Sequence, residues 1–264
     1  MSQANRTKTA LLLAAGTGSR LRPLTLKTPK CLTMVGGYSI LERLIHILRL
    51  QGIKRLIVVI GHQGDRIRDF LQKKAIDMQV DYVTNPIYQT TNNIYSLWLA
   101  RQQISEPFLL IESDLIFEFS MLNDMMQPDK IAISKRLPWM NGTTVELNSS
   151  KKVTTFHLKP HIHHKNPQYK TVNLYSFSLP SWHKIEKQLN HHIHAEHLND
   201  YYEVVFANMI ADGSLSLGAV FFNEHRWYEI DSMIDLSAAE KLTRLFRSHR
   251  DRFSIDNELA PTHA

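Results

Sequence analysis

The chain has 264 residues, 43% of them hydrophobic, and 31 basic against 25 acidic residues give a net charge of +6. That length can bury a substantial core in one domain. No run approaches the roughly 20 apolar residues that cross a membrane, and the polar start, residues 1–8, lacks the apolar centre of a signal peptide. A single cysteine, Cys31, excludes an internal disulfide framework, so a cytoplasmic location is expected. The positive charge comes without zinc-finger spacing, a ribonucleoprotein aromatic motif or a long Lys/Arg run. It therefore speaks for phosphate-bearing small molecules rather than nucleic acid.

In chain order, residues 9–14 read as a buried strand, 40–50 as a helix, 55–60 as a strand and 65–74 as a helix. A short strand over 79–83, a helix over 92–103 and a strand over 108–111 follow. This alternation predicts an α/β fold: one domain spanning residues 1–264, with a doubly wound, mostly parallel Rossmann-like sheet and helices on both faces. The second half is less regular and predicts a smaller mixed β region. Strands are read over 131–135, 143–147, 153–157, 170–176, 215–221 and 227–229, and helices over 181–192, 201–212 and 232–248. The core spans about 8–248, the polar histidine-rich segment 160–167 is expected to be a mobile loop, and the tail 253–264 is expected to be flexible.

The most informative segment follows the first strand: Leu13, Ala14, Ala15, Gly16, Thr17, Gly18, Ser19, Arg20, Leu21, Arg22, Pro23, with Pro29 and Lys30 after it. Small residues let backbone N–H groups approach an anion, and Gly16 and Gly18 tolerate φ values that other residues resist. Arg20 and Arg22 can grip phosphate oxygens bidentately, and Lys30 adds a compact charge. The Gly-Lys-Ser/Thr ending of a Walker loop is absent. A dinucleotide fingerprint would need Gly where Leu21 stands, ahead of a helix that Pro23 disfavours. A strand feeding this loop is a polyphosphate site.

These residues resemble the nucleotidyltransferase family that makes activated sugars and alcohols from nucleoside triphosphates. The match to Leu-Ala-Ala-Gly-x-Gly-x-Arg-Leu-x-Pro-Leu-Thr is gapless over residues 13–25, continues at Pro29 and Lys30, and the resemblance extends to about Leu245. It implies that Arg20 holds the β- and γ-phosphates and that Lys30 contacts phosphate during transfer. Asp114, in Glu112-Ser113-Asp114 after a strand, matches the aspartate that binds catalytic magnesium, although Glu112 stands where Asp is more usual. Asp231, in Glu229-Ile230-Asp231, matches the second metal-binding aspartate; it could also cap the helix beginning near Ser232, and the two roles are compatible. Both metal roles require the fold to join aspartates more than 100 residues apart.

Asn85-Pro86 and Asn92-Asn93-Ile94-Tyr95-Ser96-Leu97 resemble bacterial phosphocholine cytidylyltransferases and the related phosphonate enzymes. Asn85, Asn93 and Ser96 are thereby implied in nucleotide binding, with CTP as the nucleotide. For the acceptor, Lys159 partly matches a Glu-Lys-Pro motif, here led by Leu158. Glu203 best matches an acidic residue that faces a cation, with Tyr201 and Tyr202 beside it as an aromatic face or as core. Asn173 is implied in the acceptor pocket. The phosphocholine enzymes pack a tryptophan on choline; the corresponding residues 140–143 hold no aromatic, and Trp139 reads as out of register. That departure favours a smaller amine such as 2-aminoethylphosphonate.

The resemblance thus implies a magnesium-dependent cytidylyltransferase. It would join CTP to a small phosphorylated or phosphonylated alcohol or amine with release of pyrophosphate, serving cell-surface polysaccharide or phosphonate biosynthesis. The alternatives are a sugar-1-phosphate nucleotidyltransferase using UTP or dTTP, and a non-catalytic nucleotide-binding regulatory subunit. Partners are small molecules, without nucleic acid or membrane, and a homodimer is left open. The 14 histidines, dense over 157–164 and 191–197, include pairs such as His192/His194 that could take a metal, but solvated loop and helix faces are the plainer reading.

Overall fold

The computed structural model describes residues 6–158 and 167–248. Lys159, most of the histidine-rich segment and the tail expected to be flexible lie outside those residues. In chain order the elements are β1 (Thr9–Ala14), β2 (Met34–Val35), β3 (Tyr38–Ser39), α1 (Ile40–Leu50), β4 (Arg55–Ile60), α2 (Gly64–Lys74), β5 (Gln79–Thr84), α3 (Asn93–Leu99), β6 (Phe108–Glu112) and β7 (Leu115–Phe117). Then come β8 (Lys130–Lys135), β9 (Thr144–Leu147), β10 (Val153–His157), β11 (Tyr169–Phe177), α4 (Leu179–His194), α5 (Glu203–Ala211), β12 (Gly218–Phe222), β13 (Trp227–Glu229) and α6 (Met233–Ser248).

The main sheet follows the order β10-β9-β11-β6-β1-β4-β5, with β8 pairing β11 and β12 pairing β8. The apolar runs of the first half form its parallel block, β6-β1-β4-β5. The second half joins the same sheet through β11, which runs antiparallel to β6, β8 and β9. The expected mixed region is therefore a continuation of the sheet.

Alternation along β1 explains the two layers. Ala10, Leu12 and Ala14 face a core with Leu44, Leu48, Ile67 and Leu71 of α1 and α2. Leu11, Leu13 and Ala15 face the opposite core, with Leu97, Trp182, Leu189 and Phe206 of α3, α4 and α5. A central parallel strand is buried on both sides, which is why it reads as an unbroken apolar run. A third, smaller cluster seats α6 against Leu21, Val35 and Ile116.

Local chemistry sets the helix starts. Ser39 caps α1 by accepting from the Glu42 amide at 3.1 Å, and Ser178 caps α4 by accepting from the Ser181 amide at 3.2 Å. The predicted helix over 92–103 is α3 followed by a 3-10 turn, Ala100–Gln103. No helix of the described residues is long and apolar enough to cross a membrane.

Leu12 is fully buried at the sheet centre. Leu12→Ala should cost about 2–5 kcal/mol through lost transfer energy and a cavity, read as a lower urea midpoint with an unchanged slope.

Candidate active site

In the parallel block, the carboxyl ends of β1, β4, β5 and β6 open onto one side, where α/β sheets bind ligands. The glycine-arginine loop leaves β1 there. Gly18 adopts φ +61, and a Cβ on it would come within 3.0 Å of Thr25 Cγ2 and 3.1 Å of Lys30 Cβ. Glycine thus lets the loop fold down onto Lys30, and the Thr25 hydroxyl fixes the turn by donating to the Gly18 carbonyl at 2.8 Å. Gly16, by contrast, has no positive φ and open space around it. A 3-10 turn, Ser19–Leu21, carries Arg20 to the cavity and leaves Arg22 extended and exposed.

Lys30 lies at the centre of the site. Its Nζ donates to Asp114 Oδ2 and to Asp231 Oδ1, each at 2.7 Å. Arg20 Nη2 also meets Asp231 Oδ1 at 2.8 Å. Two backbone features bring the aspartates together. First, β13 pairs antiparallel with β7, opposing Glu229 to Leu115, and the Ile230 amide continues the ladder to the Asp114 carbonyl at 3.0 Å. Second, capping at the start of α6 falls to the neighbours of Asp231. Ser232 Oγ accepts from the Asp235 amide at 3.3 Å, and Asp235 Oδ2 accepts from the Asp231 and Ser232 amides. That reciprocal cap frees the Asp231 carboxylate for the cavity.

A cavity of about 290 Å³ covers this centre. Leu13, Ala14, Ala15, Gly16, Gly18 and Arg20 line it; of the loop residues implied in nucleotide binding, Thr17 does not. Asn85, Asn93 and Ser96 also line it, but their side chains are spent on one another and on the scaffold. Asn85 Nδ2 donates to Thr91 Oγ1 and Ser96 Oγ, both at 3.1 Å. Asn93 Nδ2 donates to Glu112 Oε1 at 3.1 Å while its Oδ1 accepts from the Tyr202 amide at 3.0 Å. These bonds hold the three side chains in the cavity wall.

A second cavity of about 360 Å³ adjoins the first. Arg20, Asn173, Tyr201, Glu203, Glu229 and Asp231 line both and form a shared wall. Tyr201 is 59% exposed, whereas Tyr202 packs in the core against Tyr175 and Phe206. The two readings of this tyrosine pair are thus divided between them. Trp139, out of register in the sequence, lines the second cavity and is 58% exposed. Asn173 takes φ +55 within β11, where the pairing with β8 shifts register. Asparagine tolerates that conformation better than most residues, and its Nδ2 donates to Glu229 Oε1 at 3.1 Å. Lys170 Nζ reaches Glu229 Oε2 at 3.3 Å.

Five carboxylates therefore surround the junction: Glu112, Asp114, Glu203, Glu229 and Asp231. Burial, reinforced by Asp114 and Glu203, pushes Glu112 well above the usual carboxylate range. Burial pushes Glu203 up from 4.5 to about 7, and it raises Glu229 despite the opposing charge of Lys170. Burial works against the charge on Lys30, but Asp114 and Asp231 outweigh it and the ammonium is held protonated. Cys31 also lines the first cavity, and burial pushes its thiol up to about 12, which excludes a thiolate nucleophile at neutral pH.

The donor set suits a hard divalent cation. Asp114 Oδ1 is buried without a hydrogen-bond partner among the described residues, its other oxygen converges with Asp231 on one ammonium, and carboxylate oxygens are ligands that magnesium takes. Glu112, Glu229 and Lys170 were given no site role by the sequence. The signal for the first two was their place two residues before each aspartate.

With this geometry the fold and site define a nucleotidyl-transfer class. The chain belongs to the nucleotidyl transferase family, which matches residues 9–243. It is 27% identical over 245 residues to CMP-5'-(3-aminopropyl)phosphonate synthase of Streptomyces rubellomurinus, covering 88% of this chain and 38% of that protein. The chain thus spans well under half the length of that relative. It is also 27% identical over 241 residues to 2-aminoethylphosphonate cytidylyltransferase of Lancefieldella rimae, covering 90% of this chain and 93% of that one. In structure, the CTP:phosphocholine cytidylyltransferase of Streptococcus pneumoniae has the same fold, with a TM-score of 0.78 at 22% identity over 90% of this chain and 99% of that one.

Lys30→Ala leaves Asp114 and Asp231 facing each other. It should cost roughly 2 kcal/mol, less than a fully buried pair because Arg20 and solvent remain. Adding Asp114→Asn should restore part of that loss in a urea double-mutant cycle; strict additivity would exclude the pairing. Glu203 binds its proton more tightly folded than unfolded, so its penalty is absent below about pH 4.5 and complete above about 7. Glu203→Gln should therefore gain stability relative to wild type as pH rises through that window, on the order of 3 kcal/mol, read by unfolding at pH 5 and 7.5.

Proposed function

We propose that this chain is a magnesium-dependent cytidylyltransferase that joins CTP to a small amine-bearing phosphonate or phosphorylated amino alcohol, with 2-aminoethylphosphonate as the leading acceptor. The observation that carries the reading is the shared wall. The second cavity is bordered by Arg20 and Asp231 and adjoins the one that Lys30 lines, and it combines the carboxylates Glu203 and Glu229 with the aromatic faces of Tyr201 and Trp139. Carboxylates and aromatic faces suit an ammonium group, whereas a sugar offers neutral hydroxyls. The aminoalkylphosphonate relatives support the same acceptor class.

In this reaction a phosphonate oxygen forms a bond to the α-phosphorus of CTP. The bond from that phosphorus to the bridging oxygen breaks, and pyrophosphate leaves with the electron pair. The nucleophile is already an anion, so charge shielding and alignment carry the catalysis rather than a strong base. The loop from Leu13 to Gly18 supplies backbone amides to the triphosphate, and Arg20 holds its distal end. Lys30 supplies a fixed positive charge at the transfer point. Asp114 and Asp231 would hold magnesium, which supplies Lewis-acid shielding of the phosphates. Glu203 and Glu229 receive the acceptor's ammonium, with Asn173 and Lys170 fixing the orientation of Glu229.

Pyrophosphate release with magnesium, each of the four nucleoside triphosphates and a panel of acceptors tests the reading. The panel holds 2-aminoethylphosphonate, phosphoethanolamine, phosphocholine and glucose-1-phosphate. The expected result is turnover with CTP and an amine-bearing acceptor, reduced at least ~100-fold in Asp114→Asn. Preference for UTP or dTTP with the sugar phosphate would overturn it, and near-normal turnover in Asp114→Asn would remove the metal assignment.

A further inference from the structure

Away from the two cavities, three donor side chains of a different kind converge where α4 ends. His192 Nε2 lies 2.9 Å from Asp200 Oδ2, and His197 Nδ1 lies 4.0 Å from the same oxygen. The two imidazole rings are 4.9 Å apart, and one donor atom from each of the three residues falls within 4.8 Å of the others. The sequence pairing of His192 with His194 does not form this cluster, because residues two apart point to different sides of a helix.

The backbone builds the convergence. Glu196 adopts φ +63 just beyond α4. The His197 amide then donates back to the His192 carbonyl at 3.3 Å and the Leu198 amide to the Glu196 carbonyl at 2.9 Å, laying His197 over His192. The Leu198 carbonyl accepts from the Asn92 amide at 3.1 Å, docking this loop on the start of α3. The His192 side chain is 16% exposed and that of His197 is 60% exposed. One donor is therefore held in place, and the exposed one has room to move inward toward the ~3.3 Å ligand spacing of tetrahedral zinc.

We propose that His192, His197 and Asp200 form a binding site for a zinc-class divalent transition ion, distinct from the carboxylate pair of the active site. Two imidazoles and one carboxylate suit Zn²⁺ and its neighbours in the first row, whereas magnesium takes oxygen donors. Three protein ligands leave a fourth position to water on the exposed side. The ion would tie the end of α4 to the loop that runs directly into Tyr201 and Glu203. Its role is therefore to brace one wall of both cavities from outside.

The test is a Zn²⁺ titration by calorimetry on the full, untagged, chelator-stripped chain, with millimolar Mg²⁺ present throughout. The expected result is one equivalent bound that Mg²⁺ does not displace, and a melting temperature raised by roughly 5–10 °C at 100-fold excess over Kd. His197→Ala and Asp200→Asn should each weaken binding at least ~10-fold and lose the melting shift, while Asp114→Asn keeps both. The exposure of His197 makes its truncation compatible with folding. Unaltered zinc binding in His197→Ala and Asp200→Asn, loss of binding in Asp114→Asn, or no saturable binding at all would each overturn the proposal.

Discussion

A single ammonium group organises this molecule's chemistry. Lys30 donates to Asp114 and Asp231 at equal distances, so three segments remote in sequence meet at one point. Two carboxylates 4 Å apart repel by roughly 4 kcal/mol at the effective dielectric of a protein surface, and the fold holds them together only with positive charge between or beside them. Lys30 and Arg20 supply it. Among the described residues one carboxylate oxygen of the pair has no hydrogen-bond partner, and three further glutamates stand behind the pair with protons favoured by burial.

The rest of the fold serves that meeting. The parallel block delivers Asp114 and the glycine-arginine loop at neighbouring strand ends. The antiparallel half delivers the remainder: β11 presents Asn173 and Lys170, and the β7–β13 pair fixes Asp231 opposite Asp114. The reciprocal cap of Ser232 and Asp235 completes the arrangement by relieving Asp231 of a structural duty it would otherwise perform.

Much of this was legible in the sequence, for identifiable reasons. Strands buried on both sides must be continuously apolar, so the parallel block could be read from residues 9–14, 55–60 and 108–111. The glycine-arginine loop and both aspartates could be read because their chemistry requires those residue types in fixed order. The strands β2, β3 and β7 span two or three residues, too few for any periodicity, and are not read from the sequence, and neither is the cap beside Asp231. Asn85 and Asn93 illustrate a different limit. Their residue types do not show the hydrogen bonds they make, which only the tertiary neighbours Thr91, Ser96, Glu112 and Tyr202 reveal. Trp139 belongs to the same category, since its register depends on the irregular turn before β9.

The wall common to the two cavities has a consequence for how such a protein could change its substrates. A substitution at Arg20, Asn173, Tyr201, Glu203, Glu229 or Asp231 is felt on both sides, so reshaping one chamber there reshapes the other as well. Trp139, Met140, Leu158 and Tyr228 border only the second chamber. Substitutions at those four positions can reshape the second chamber while the lining of the first stays intact, which makes the outer chamber the more freely variable half of the pair.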